Sequence, residues 1–79
     1  MYKHLLFLRS PSFDDLRLQK VLSEFNLIFD YKYDDTYMYE CDDFSLSIGL
    51  SVIRILVYDS SNYNLIKKIK YAFNEKTRG

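Results

Sequence analysis

Apolar residues recur along this chain in two rhythms: every second position through the middle, and every third or fourth in two flanking stretches. The middle is dominated by Phe44–Tyr58 (FSLSIGLSVIRILVY), where Val, Ile, Leu or Phe fill nine of fifteen positions without a proline. Its β-branched content predicts the central strand of a small sheet, or two consecutive strands. Phe44, Leu46, Ile48 and Leu50 share one parity, whereas Ile53, Ile55 and Val57 take the other. The phase changes at Gly49-Leu50-Ser51, which calls for a bulge or a turn; one long, bulged or bent strand is the preferred reading.

Upstream, Tyr2–Arg9 alternates as a strand with apolar side chains on both faces, which predicts an interior position in the sheet. Ser10-Pro11-Ser12 breaks it. Ser12 followed by Asp15 has the form of a capping box with Asp in place of Glu. Leu18, Val21, Leu22 and Phe25 then recur at helical spacing, joined by Phe13, and predict a helix over 12–25. At the other end, Asp59-Ser60-Ser61-Asn62 is rich in turn and cap residues. Leu65, Ile66, Ile69, Ala72 and Phe73 predict a second helix over 62–75, with Lys67, Lys68 and Lys70 on its outer side and 76–79 as a frayed tail.

Between these lies a tyrosine-rich hairpin. Leu27, Phe29, Tyr31 and Tyr33 alternate, as do Tyr37, Tyr39 and Cys41. A three-residue loop, Asp34-Asp35-Thr36, would pair Tyr33 with Tyr37 and Tyr31 with Tyr39, and so gather all four tyrosines on one face. A two-residue loop would split them between both faces. A second tight turn at Asp42-Asp43 would pair Cys41 with Phe44 and carry the same dry face through Leu46, Ile48 and Leu50. Asp30, Lys32, Met38, Glu40, Ser45, Ser47 and Ser51 would form the wet face. The predicted fold is therefore α+β. It is a two-layer sandwich of a mainly antiparallel sheet with two helices on one face, in the order β-α-β-β-β-α, and residues 1–79 form one domain.

Composition narrows the setting. The chain has 79 residues, 48% hydrophobic, with eight tyrosines and six phenylalanines, enough apolar mass for a core. Its one cysteine, Cys41, permits no internal disulfide, which favours a reducing, cytoplasmic setting. The apolar run Leu5–Leu8 is too short for a signal-peptide core, and no stretch reaches the roughly 20 apolar residues of a membrane span. Net charge is zero but uneven. Asp30–Asp43 holds six acids and one lysine, and Asn62–Gly79 holds five bases and one glutamate. Lys, Asn, Ile, Tyr and Phe are over-used, and Ala, Gly and Pro are scarce. That skew fits an AT-rich genome such as those of many phages and mobile elements.

Catalytic signatures are missing from the pattern. His4 and Cys41 would need to meet in space to act as a nucleophilic pair, and a buried cysteine serving as a small hydrophobe is the simpler reading. The aspartates lack the spacing and glycine of a calcium loop. Asp30-Tyr31-Lys32, with Asp14 or Asp15 as a preceding acid, superficially matches the acid-x-lysine step of metal-dependent nucleases. Aspartates at two turns account for these residues without a metal. No glycine-rich phosphate loop or zinc spacing is present.

The expectation is a non-enzymatic, cofactor-free module that binds another protein through Tyr31, Tyr33, Asp34, Asp35, Tyr37, Tyr39, Glu40, Asp42 and Asp43. Tyrosine gives large contact area at low entropic cost, and an acidic rim suits a basic partner. Its most concrete form is a phage or mobile-element inhibitor of a host nuclease or defence complex, anti-CRISPR-like in kind. One alternative is a nucleic-acid binder using Lys67, Lys68, Lys70 and Arg78 on or beyond the second helix. A second is a small metal-dependent enzyme. Exposed strand edges and a serine-rich sheet face also suggest a homodimer.

Overall fold

The computed structural model describes residues 1–10 and 13–73. Its elements are β1 (Lys3–Leu8), α1 (Asp15–Glu24), β2 (Ile28–Tyr33), β3 (Thr36–Glu40), β4 (Phe44–Ile48), β5 (Val52–Val57) and α2 (Tyr63–Phe73). The α+β class and the succession β-α-β-β-β-α are those the sequence predicts, with the last β divided into two strands. The 44–58 stretch is thus a hairpin rather than one bent strand. Gly49 N–H donates to the Val52 carbonyl at 2.9 Å across the turn, and Arg9 fastens it by donating from Nη1 to the Gly49 carbonyl at 3.0 Å. Leu50 lies in this turn and is exposed, not part of the dry face.

All pairings are antiparallel and the sheet runs β1-β5-β4-β3-β2. Leu5, Ile55 and Leu46 lie in one cross-strand row, which places them on one face. They are buried together with Val21 of α1 and Ile66, Ile69 and Phe73 of α2. Phe7 stacks on Phe73 with ring centres 5.8 Å apart, and Phe25 meets Phe44 edge-on at 5.5 Å. Both helices therefore cover the same face. The strand β1 is an edge, not interior as its two apolar faces suggested. Its second apolar face carries Leu6 and Leu8, 64% and 82% exposed.

Local chemistry sets the helix ends. The Asp14 side chain accepts from the Arg17 N–H at 3.1 Å and caps α1 at its N-terminus. The predicted cap, Ser12, lies outside the described residues, as do residues 74–79, including Arg78 and the predicted tail. After α1, Asn26 takes a left-handed φ of 58° while Leu27 N–H reaches back to the Leu22 carbonyl at 2.8 Å. This is the usual left-handed helix stop, and asparagine tolerates it better than most residues. Asn62 caps α2, accepting from Leu65 N–H at 3.3 Å. Arg17 joins the helices by donating from Nη2 to the Ala72 carbonyl at 2.6 Å, a cation at a helix C-terminal end.

The hairpin β2–β3 departs from the expected register. Tyr33 pairs with Thr36, so the loop is the two-residue Asp34-Asp35 turn, with Asp34 at a left-handed φ of 59°. An unbroken ladder from that turn would carry Phe29 to the helix-free side. It does not, because the register shifts between Phe29 and Tyr31, leaving Asp30 as an extra residue. Phe29 then pairs with Tyr39 on the helix side, and buried Leu27 follows into the core. The bulge reconciles a short turn with an apolar strand start.

Two stability predictions follow from this geometry. Deleting Asp30 should leave a regular ladder with every other side chain on its present face. The expected cost is within about 1 kcal/mol, and loss of cooperative unfolding in urea would contradict the bulge assignment. Asn26→Gly should be neutral or mildly stabilising, whereas Asn26→Val should cost about 1–2 kcal/mol, read as a drop of several degrees in Tm.

Candidate functional site

The short turn and the bulge decide where the tyrosines go. Tyr31 pairs with Met38 and Tyr33 with Thr36, so both point to the helix-free face. Tyr37 pairs with buried Ile48 and Tyr39 with buried Leu46, so both point to the helix side. The expected common wall of four tyrosines does not form. Its acids are dispersed as well. Asp34 and Asp35 occupy the β2–β3 turn, while Asp42 and Asp43 occupy the β3–β4 turn at the other end of a five-residue strand, about 17 Å away. Glu40 lies on the helix-free face, where it accepts a hydrogen bond from the Tyr58 hydroxyl. Lys32, expected on the wet face, turns to the helix side.

What the helix side of the hairpin holds instead is a small aromatic ledge. Phe29 meets Tyr39 edge-on at 5.7 Å and Tyr37 at 6.4 Å between ring centres. The Lys32 ammonium sits 5.2 Å from the Tyr37 ring centre, within cation–π range. Phe29 and Tyr37 remain 52% and 42% exposed on this side, so the helix layer stops short of them. Every residue of the edge strand β2 is exposed. The ledge thus presents rings pre-set by each other, with Asp34 and Asp35 at its tip. Phe29 was not among the residues expected at the site. Its signal was its parity with Tyr37 and Tyr39, which the tyrosine count overshadowed.

Three protons are held more tightly here than usual. Desolvation raises the Tyr39 phenol, with the neighbouring Tyr37 adding to it and Arg9 opposing. Desolvation also raises the Cys41 thiol, opposed by its backbone hydrogen bonding with Asp43 and Phe44. The Tyr58 phenol is raised by desolvation and by its bond to Glu40. On the acid side, the hydroxyl and N–H of Ser61 donate to Asp59 at 2.6 and 3.0 Å and lower its carboxyl. Asp59 thereby pins the entry to α2.

The other candidates are placed apart. His4 pairs with Leu56 on the helix-free face of β1, whereas Cys41, directly after β3, is half-buried against the core, so the sheet separates them. Asp30, Glu40 and Asp42 border a shallow open hollow of about 540 Å³ with Cys41 and Tyr58. Among the described residues, no group of three or more His, Cys, Asp or Glu is placed to hold a metal ion. Lys67, Lys68 and Lys70 are exposed on α2. No described helix is long and apolar enough to cross a membrane. Comparison of the chain with protein-family models, curated proteins and solved structures gave no match.

The raised protons carry a pH dependence. Between the ordinary value of each group and its raised one, the folded chain binds more protons than the unfolded chain. Stability is then full below about pH 8.5 and declines as pH rises through the raised values. The urea midpoint should stay flat from about pH 7 to 8.5 and fall above about pH 9, and Tyr58→Phe should make that fall shallower. A midpoint that rises across this range would contradict the assignment.

Proposed function

We propose that this chain is a non-enzymatic protein-binding module and that its partner docks on the helix-side ledge of the β2–β3 hairpin. The observation that supports the reading is the pre-set ring group Phe29, Tyr37 and Tyr39, left half-open on an edge hairpin beyond the helix layer. Rings already in mutual contact lose little freedom on binding, and aromatic anchors carry much of the energy of protein interfaces. The edge itself is blunted by the Asp30 bulge and by Lys32, so side chains rather than added strands supply the contact.

The tip acids Asp34 and Asp35 select a basic partner surface. The most concrete form of this reading is an inhibitor, of phage or mobile-element kind, that occupies the basic groove of a nucleic-acid-processing complex. Carboxylates spaced along a protein rim can occupy cation sites that otherwise hold phosphates.

The test is affinity purification from the native host, followed by titration of the captured protein with purified variants. Phe29→Ala with Tyr37→Ala should weaken binding about 100-fold or more, and Asp34→Lys with Asp35→Lys should reduce the on-rate and its salt dependence. Binding unchanged by both pairs would remove the ledge as the site.

A further inference from the structure

We propose that the helix-free face of the sheet is a homodimer interface, in which two copies stack sheet on sheet about a two-fold axis running along β4. This goes beyond the ledge on the opposite face and does not depend on it.

An uncovered antiparallel face is ordinarily polar, with apolar residues kept for the core. Here it is apolar on both flanks. Leu6 and Leu8 stand out from β1, and Ile28 and Tyr33 stand out from β2 at 72% and 75% exposure. The central strand β4 is low and polar there, with Ser45 and Ser47 on this face. Apolar area of this extent on a small domain marks a contact surface.

The registers show what fits it. One row across the face reads Leu6, Arg54, Ser47, Met38, Tyr31. The next reads His4, Leu56, Ser45, Glu40, Ile28. A two-fold axis along β4 keeps the rows level and lays β1 over β2 of the second copy and β5 over β3. Leu6 then meets Tyr31, and Leu8 meets Tyr33. Arg54 arrives over Met38, one row from Glu40 of the second copy and within reach of it. The serines of the two central strands face each other and allow close approach. An in-plane axis across the strands would instead set Arg54 upon Arg54, so charge selects the first arrangement. Each flank supplies what the other needs, as an isologous contact requires.

The area is adequate. Five strands spaced at about 4.8 Å and about 18 Å long give a footprint of about 430 Å². Side-chain relief roughly doubles this, approaching the about 800 Å² per partner of a standard interface. Sheets stacked about 10 Å apart with a modest rotation are a common packing.

Sedimentation equilibrium on the 79-residue chain tests this. The mass should approach twice 9.5 kDa above about 50 µM and fall toward one copy on dilution, as for a micromolar dimer. Leu8→Lys should weaken association about tenfold or more with an unchanged urea midpoint for the monomer, because Leu8 is largely exposed. Arg54→Glu and Glu40→Arg should each weaken it, and the two together should restore it. A single-copy mass at the highest concentration would overturn the proposal. So would a dimer indifferent to Leu8→Lys, which would place the contact at a strand edge or on another surface. Failure of the charge swap to rescue would overturn the axis.

Discussion

A β-strand changes side with every residue, so one residue gained or lost moves all the side chains beyond it to the other face. In this protein that constraint is met at two places in the β2–β3 hairpin. The Asp34-Asp35 turn is one residue shorter than the tyrosine pattern invites, and Asp30 adds one residue back. The net result puts Leu27 and Phe29 toward the core and Tyr31 and Tyr33 away from it. The aspartates suit both duties. Asp34 accepts a left-handed backbone, and Asp30 is exposed where a bulge leaves a residue outside the ladder.

This arithmetic gives a small sheet two faces that are exposed in different ways. The helices gather over β1, β5 and β4, where Phe73 covers Phe7 and Phe25 covers Phe44, and leave the hairpin ledge open. Among the described residues, no helix covers the reverse face. A chain this short buries only about 60–65% of its unfolded surface. Large rings at the sheet margins therefore stay partly exposed. The ledge and the bare face divide the tyrosines between them, so the two proposed contacts do not compete for the same side chains.

Much of the fold was legible in the sequence. Helical spacing at Leu18, Val21, Leu22 and Phe25 and at Ile66, Ile69 and Phe73 located both helices, and the phase change at Gly49-Leu50-Ser51 located a break. Cys41 pairs near Phe44 as the Asp42-Asp43 turn implied, with its N–H donating to the Phe44 carbonyl at 3.0 Å. Three things were not legible. Tyrosines at 31, 33, 37 and 39 are all odd-numbered, and parity cannot reveal a bulge when a loop of two plus one extra residue imitates a loop of three. Apolar residues on both faces of β1 read equally well as an interior strand or as an edge with an uncovered face. The third, the division of 44–58 into two strands, turns on whether Leu50 and Ser51 bend or reverse the chain. The hairpin that carries the candidate tyrosines was legible, but the face each one takes was not, because the face is settled by backbone pairing that composition does not record.

The most direct test of this account is a proton NMR measurement of through-space contacts in the hairpin. The account predicts cross-peaks from the Tyr31 ring to the Met38 methyl, and from the Phe29 ring to the rings of Tyr37 and Tyr39. Cross-peaks joining Tyr31 to Tyr39, with Met38 silent, would restore the longer loop, return the four tyrosines to one wall and contradict both proposed surfaces.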